Sequence, residues 1–189
     1  MRALLIIGLL ALTGCAGVPH EIMMEWNALL PHPDASPSPT IENGQLVLSG
    51  CAVRSRSTYT APLTIECELQ SEAPTAKGDF YINLAPQNVP ATELAQDYFG
   101  IKLSDDQTTL EIWESHGNQP AHLIKSTAIP VESKGHYKLV VEVQRGNFSV
   151  NANGVTISVK QAVPYERFQV ELRTFPPPSL WHVINFTIR

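Results

Sequence analysis

The sequence lacks a basic excess, a long hydrophobic run and a long helical pattern. Its 13 lysines and arginines are outnumbered by 18 aspartates and glutamates, which gives a formal net charge of −5 at pH 7. A nucleic-acid-binding domain normally concentrates positive charge for the phosphate backbone, so nucleic acid is not expected as a partner. The apolar run at residues 3–12 is shorter than the roughly 20 residues of a permanent membrane-spanning helix.

Signatures of common enzyme and metal sites are also absent. There is no Gly-x-Ser-x-Gly, no His-Glu-x-x-His and no glycine-rich phosphate loop in the sequence. Calcium binding by Asp105 and Asp106 has no supporting signature, and no metal or cofactor is predicted. Several histidines lack the spacing of zinc ligands, namely His116, His122, His136 and His182.

The N-terminus has the order of a secretory signal. Arg2 supplies a basic start, residues 3–12 are apolar, and Leu12-Thr13-Gly14-Cys15 follows. The last four residues resemble the bacterial lipobox, which implies that residues 1–14 are removed and that Cys15 is acylated. Such acyl chains would anchor the chain to a membrane. Because Ala16 rather than an aspartate follows the cysteine, the resemblance implies sorting to the outer membrane of the cell envelope.

Residues 15–189 suffice for one domain with a sizeable core. Residues 15–40 are predicted to be a lipid-anchored spacer, because four prolines between positions 31 and 39 favour an extended chain. Within this segment residues 22–26 are too apolar for a pure tether, and we expect them to cover a sheet edge or to form a short helix. The folded domain is assigned to residues 41–189.

A three-stranded antiparallel meander is predicted at residues 136–160. Apolar side chains alternate with polar ones from His136 to Gln144, which is the period of a half-buried strand. The alternation restarts after Gly146. Asn153-Gly154 then matches a two-residue type I′ turn, in which both positions need a positive φ, and a third alternating run follows.

Further strands are predicted along the rest of the chain. The residues between Pro90 and Tyr98 form the one predicted helical interlude. About ten or eleven strands without a long helix indicate an all-β fold with two antiparallel sheets. The other predicted strands cover residues 45–54, 63–70, 79–84, 100–103, 108–114, 121–126, 168–173 and 181–188.

Cys51 and Cys67 are the two cysteines of the predicted domain. Cys67 belongs to the set of alternate residues in its strand that is predicted to face the core. In an oxidising compartment the pair would form a disulfide worth ~3 kcal/mol on the chain-entropy model. The alternative is two buried free thiols, since cysteine is also a common small core residue.

The order of these strands resembles the concanavalin A-like jelly rolls over residues 41–189. The runs that carry the resemblance are PLTIECEL, GDFYINL, TLEIWE, HYKLVVEV, NFSVNANG, FQVELR and VINFTIR. Within that group the chain is similar to laminin-G-like and 3-keto-disaccharide hydrolase-type domains. The resemblance implies a two-sheet β-sandwich and does not by itself imply an activity.

Strand parity predicts a group of outward-pointing side chains that suits a carbohydrate. Aromatic rings can stack on the C–H face of a sugar while neighbouring polar groups bind its hydroxyls, and jelly rolls of this kind usually bind on the concave sheet. The alternative is that loops or residues 22–26 cover these rings. Trp181 is also predicted to point outward. The predicted ligand-binding residues are Tyr81, Asn83, Glu111, Trp113 and Arg173.

Two classes of function follow. One is a lipid-anchored binding module for a glycan or an envelope protein, which the spacer and small single domain favour. The other is a glycoside-active enzyme of the 3-keto-disaccharide type, with Glu111, Glu114 and Arg173 as candidates. The paired-carboxylate strand of the related glucanases, Glu-x-Asp-x-x-Glu, is absent, and Glu66 and Glu68 are expected to lie on a solvated strand face.

Overall fold

The computed structural model describes residues 26–29, 38–71, 78–90, 93–104, 108–117, 119–130, 135–176 and 179–189. Within these ranges there is no helix long and apolar enough to cross a membrane. The strands in chain order are β1 Trp26–Leu29, β2 Thr40–Glu42, β3 Gln45–Ser49, β4 Ala52–Ser55, β5 Leu63–Ser71, β6 Asp79–Pro86, β7 Tyr98–Leu103, β8 Thr109–Ser115, β9 His122–Ala128, β10 His136–Gln144, β11 Asn147–Ala152, β12 Val155–Val159, β13 Phe168–Phe175 and β14 Leu180–Ile188.

The strands form two antiparallel sheets that pack face to face. The first sheet has the order β1-β4-β13-β6-β7-β8-β9, and the second has the order β12-β11-β10-β5-β14-β3-β2. In each sheet half of the neighbouring pairs join strands that are distant in sequence, as in a jelly roll. The predicted all-β sandwich is confirmed.

The core lies between the sheets because each strand alternates one buried apolar face with one polar face. Aromatic contacts join the two layers. Phe80 on β6 lies 5.5 Å from Trp181 on β14, and Phe99 on β7 lies 4.9 Å from Phe148 on β11, measured between ring centroids. All four rings are fully buried.

The predicted meander is confirmed as β10, β11 and β12. Asn153 and Gly154 connect the last two strands with φ values of 48° and 88°, both in the left-handed region that a type I′ turn requires. The side chain of Asn153 also accepts a hydrogen bond from the backbone N–H of Lys138, at 2.8 Å. The turn is therefore fixed by both its backbone and its side chain.

The single strand predicted at residues 45–54 is wrong. Gly50 has a φ of 61°, and the chain leaves the second sheet after β3 and enters the first sheet as β4. A positive φ breaks the extended conformation, and glycine adopts it without a steric penalty. Apolar residues lie on both sides of the break, at 46–48 and 51–53, which is why the pattern alone did not reveal it.

The outward orientation predicted for Trp181 is also wrong. The pairing of β14 with β5 shifts register between Val183 and Asn185, so one extra residue is inserted at Ile184. Residues before this bulge therefore point to the side opposite to the predicted one. Trp181 faces the core and has no exposed surface. Its indole Nε1–H donates to the backbone oxygen of Gly78, at 3.2 Å.

The predicted helical interlude is not helical where it is described. Residues 93–97 follow an irregular path, and Tyr98 already begins β7. Backbone oxygens of this segment accept hydrogen bonds from the side chain of Arg54 on the first sheet. These tertiary contacts override the local helical preference of a short segment.

Cys51 and Cys67 are both buried free thiols, so the structure supports the alternative to a disulfide. Cys67 lies in the middle of β5 between Leu139 and Phe186 of the adjacent strands. The Cys51 sulfur accepts a hydrogen bond from the backbone N–H of Ser49 at 3.4 Å. Burial raises the pKa of both thiols.

Part of the segment predicted as a spacer pairs with the sandwich. Trp26–Leu29 forms β1 along the edge of β4, and the Trp26 ring meets Phe186 edge-on at 5.2 Å. Of residues 22–26, which were expected to cover a sheet edge or form a short helix, Trp26 lies at this edge and residues 22–25 lie outside the described residues. The predicted signal peptide, Cys15, Asp105 and Asp106 lie outside the described residues.

Candidate functional site

Four outward-facing side chains of the first sheet form one row. Tyr81 on β6 pairs with Arg173 on β13 and, on its other side, lies opposite Lys102 on β7. Lys102 in turn lies opposite Glu111 on β8. Because directly paired residues point to the same side of a sheet, the row runs across four strands.

Three more side chains extend this row into a surface, because residues two apart on a strand share a face. Phe175 is 49% exposed, and the other members are half-buried. Tyr81 and Trp113 are thus neither fully open nor fully covered. We call this surface the aromatic platform, and its members are Asp79, Tyr81, Lys102, Glu111, Trp113, Arg173 and Phe175.

A continuous polar network holds the platform together. The Tyr81 hydroxyl donates to Asp79 Oδ2 at 2.7 Å. Lys102 Nζ lies 3.7 Å from Asp79 Oδ2 and 2.9 Å from Glu111 Oε2. The indole Nε1–H of Trp113 donates to Glu111 Oε2 at 2.7 Å. Each polar contact fixes the orientation of a ring or of its neighbour, so the rings are held in place before any ligand arrives.

Cations also contact the rings directly. Lys102 Nζ lies 5.3 Å from the ring centroid of Trp113. The guanidinium carbon of Arg173 lies 5.4 Å from the ring centroid of Tyr81 and 5.9 Å from that of Phe175. These are cation–π distances, and each contact is typically worth about 0.5–1 kcal/mol at a partly exposed site.

The protonation of two platform residues follows from these contacts. Burial, with the hydrogen bond to Asp79, raises the pKa of Tyr81, so its phenol stays neutral. Burial alone would lower the pKa of Lys102, but its contacts with Glu111 and Asp79 raise it above its ordinary value. At neutral pH the platform therefore presents a neutral hydroxyl and a fixed positive charge.

Asn83, which was predicted to bind a ligand, is not accessible. Only 1% of it is exposed, and its side-chain Nδ2 donates to Glu171 Oε1 at 3.4 Å. Glu171 forms a fully buried ion pair with Arg54, at 2.7 Å. Because the Arg54 guanidinium also donates to the backbone oxygens of Pro90 and Glu93, the described chain at residues 89–90 and 93–95 closes over this end of the sheet.

Three platform residues were missed by the sequence analysis: Asp79, Lys102 and Phe175. Lys102 lies between the buried Ile101 and Leu103, so the same alternation that identified Tyr81 indicates its orientation. Phe175 lies beyond the predicted end of its strand. Asp79 was assigned to its strand, but its contact with Tyr81 depends on side-chain geometry.

The enzyme candidates do not assemble into a catalytic pair. Glu111 lies on the platform, whereas Glu114 is opposite the core residue Phe99 and accepts a hydrogen bond from Gln161 at 3.3 Å. A glycoside hydrolase needs two carboxyl groups facing one bond, with one of them protonated. Asp79 and Glu111 are both ion-paired with Lys102, and Glu111 also accepts a hydrogen bond from the Trp113 indole.

The described residues of the second sheet and the described histidines do not form an alternative centre. Glu66 and Glu68 lie on the outer side of β5, where Glu66 contacts Arg189 and Glu68 lies 2.9 Å from His136. Within the part of the chain that the structure describes, no three His, Cys, Asp or Glu side chains converge as a metal site.

A cleft of about 570 Å³ lies away from the platform, at residues that include Thr60, Arg145, Tyr165 and Glu166. The Tyr165 hydroxyl is buried without a hydrogen-bond partner in the described chain. Among the described residues that line this cleft, Tyr165 alone is aromatic, whereas the platform has three aromatic rings. We therefore take the platform as the candidate site.

No protein-family model and no curated protein sequence matches the chain. Many solved structures share its fold. A carbohydrate-binding module, CBM66 from Bacillus subtilis, is 15% identical with a TM-score of 0.66, covering 87% of this chain and 95% of that one. A legume lectin-like domain from Entamoeba histolytica is 8% identical with a TM-score of 0.67, covering 89% and 91%. An endo-β-1,3-glucanase from Pyrococcus furiosus is 9% identical with a TM-score of 0.59, covering 78% and 75%. At these identities the likeness establishes the jelly-roll fold alone.

Proposed function

We propose that this chain is a carbohydrate-binding module of the cell envelope that takes its ligand on the aromatic platform. One observation carries the proposal: Tyr81, Trp113 and Phe175 lie on the same outer sheet face and are bordered there by hydrogen-bonding groups. Apolar rings beside polar groups are what a sugar requires, because its C–H faces are apolar and its hydroxyls are polar.

The polar members of the platform supply both kinds of hydrogen-bonding partner. Carboxylate oxygens of Asp79 and Glu111 accept hydrogen bonds from sugar hydroxyls, and Lys102 and Arg173 donate to hydroxyl oxygens. The network that joins Asp79, Lys102 and Glu111, together with the ring contacts of Arg173, reduces the ordering cost of binding because it already fixes their positions.

The structural relatives support binding by analogy. By their printed names, one is a carbohydrate-binding module and another is a lectin-like domain. The glucanase shows that the same sandwich also occurs in a glycan-cleaving enzyme. Binding without cleavage is the better proposal for this chain, since both platform carboxylates are paired with one lysine and Glu114 faces elsewhere.

Two exposed apolar residues provide a matched test. Phe175 on the platform is 49% exposed and Ile41, on β2 at the edge of the second sheet, is 42% exposed. After a glycan array identifies the best-binding polysaccharide, its affinity is measured for Phe175→Ala and Ile41→Ala. Both variants should keep the unfolding midpoint. Only Phe175→Ala should weaken binding, by about 1 kcal/mol. Equal affinities, or an array without any bound glycan, would refute the proposal.

We further propose that Cys15 anchors the module to the envelope membrane through acyl chains, on the basis of Leu12-Thr13-Gly14-Cys15. The full-length chain, expressed in a bacterium, should partition into the detergent phase. Cys15→Ser should move it into the aqueous phase, because the acyl chains provide the membrane affinity. A variant that remains in the detergent phase would contradict the anchor.

A further inference from the structure

Arg173 differs from the neighbouring cations on the outer face of the first sheet. Lys102 is ion-paired with Glu111, and Arg54 is ion-paired with Glu171. Within the described residues no carboxylate lies within ion-pair distance of Arg173, and its contacts are with the rings of Tyr81 and Phe175. Its side chain is only half-buried, so solvent and ligands can reach it.

The ring contacts orient this guanidinium without using its hydrogen-bonding capacity. A guanidinium carries five N–H donors in its plane, and contact with an aromatic ring satisfies none of them. Arginine packed in this way keeps a fork of parallel donors whose spacing matches the two oxygens of a carboxylate. Arg173 is thus a fixed donor fork at the border of a surface that otherwise suits a sugar ring.

We propose that the platform selects a uronic acid, with Arg173 holding the carboxylate of a sugar whose ring packs against the aromatic side chains. This inference rests on the proposed carbohydrate function and adds the chemical class of the ligand. Lys102 contacts both platform carboxylates, which reduces their repulsion of an anionic sugar. The ligand is then a polymer or oligomer that contains hexuronate residues.

The experiment compares two oligosaccharides that share the same sugar rings and linkages, one with free carboxylates and one with neutral methyl esters. The full-length chain and its variants are titrated with an oligogalacturonate and with the same oligomer after complete methyl esterification. Methyl esters keep the sugar ring and remove the negative charge. The native chain should bind the acid more tightly than the ester by about tenfold to a hundredfold, the range expected for a charge-assisted hydrogen-bonded pair.

Arg173→Gln should abolish this preference and bring the ratio of the two affinities close to one. Arg145→Gln is the matched control, because Arg145 is an exposed arginine in the turn after β10 and its loss changes the net charge equally. The control should keep the preference of the native chain. Unfolding midpoints of both variants establish that they are folded.

The remaining outcomes separate this inference from the proposed function. If acid and ester bind equally to the native chain, the uronate inference is wrong and carbohydrate binding stands. If Arg145→Gln loses the preference as fully as Arg173→Gln, net charge or binding at the cleft that Arg145 lines, rather than the donor fork, explains it, which also overturns the inference. Tighter binding of dextran sulfate than of the oligogalacturonate would indicate a general anion site and would contradict a carboxylate subsite. If neither oligomer nor any arrayed glycan binds, the proposed function itself fails.

Discussion

At the level of single residues, two glycines in neighbouring turns have different conformational requirements. Gly154 has a φ of 88°, whereas Gly146 lies outside the left-handed region, and an added Cβ would meet no atom within 4 Å at either position. Gly154→Ala should therefore lower the free energy of unfolding by about 1–2 kcal/mol through backbone strain alone. Gly146→Ala should leave it unchanged or raise it by about 0.4–1 kcal/mol, because it restricts the unfolded chain. Urea unfolding measures both, and equal effects would contradict the assigned turn geometry.

Residue-level predictions succeeded where one strand's alternation decides the orientation of a side chain. Tyr81, Glu111, Trp113 and Arg173 lie on the predicted side of their strands. Asn83 has the predicted orientation but is buried, because Arg54, which is distant in the sequence, holds the chain at Pro90 and Glu93 over it. Parity gives the side of the sheet to which a residue points and carries no information about what covers that side.

At the level of strands and loops, the buried ion pair between Arg54 and Glu171 holds residues 89–90 and 93–95 on the first sheet. Arg54→Met should destabilise the fold by about 3–5 kcal/mol, because it leaves Glu171 as an uncompensated buried charge. The exposed pair of Arg189 and Glu66 provides the control, with 70% and 41% of the two side chains exposed. Arg189→Met should cost at most about 1 kcal/mol.

Chemical unfolding of the two variants at equal protein concentration measures the free energy of unfolding that each substitution removes. Similar losses in the two variants would contradict the view that Arg54 is the anchor for the covering loop. Proteolysis offers an independent observation, since Arg54→Met should expose residues 87–97 to cleavage more than Arg189→Met does.

Strand positions were largely predictable, while breaks between strands were not. Most strand bounds are correct within a few residues, because each strand has one buried face over a sufficient length. Two local irregularities escaped the pattern: the positive φ of Gly50, which moves the chain between sheets, and the bulge at Ile184, which turns Trp181 inward. Each changes the direction of the backbone within one residue. An alternation pattern is recognised only over several residues, so it does not reveal such a local change.

At the level of the whole molecule, the sandwich provides a rigid support for the platform. The platform residues lie on β6, β7, β8 and β13, whose inner faces belong to the common core. A site on paired strands holds its side chains more firmly than a site on loops does, which favours binding with little rearrangement. Function could not be predicted to the same depth as fold, since the platform depends on contacts among four strands.

The location of the ligand on the aromatic platform is the central claim, and the three tryptophans of the chain test it directly. Trp113 is half-buried on the platform, whereas Trp26 and Trp181 are 6% and 0% exposed. In a ¹⁵N-labelled sample each indole N–H gives its own resonance, and the chain is titrated with the oligosaccharide that binds best on the array. We predict that the Trp113 resonance shifts saturably with ligand while those of Trp26 and Trp181 stay in place. A bound ligand that leaves the Trp113 resonance unchanged would contradict the claim.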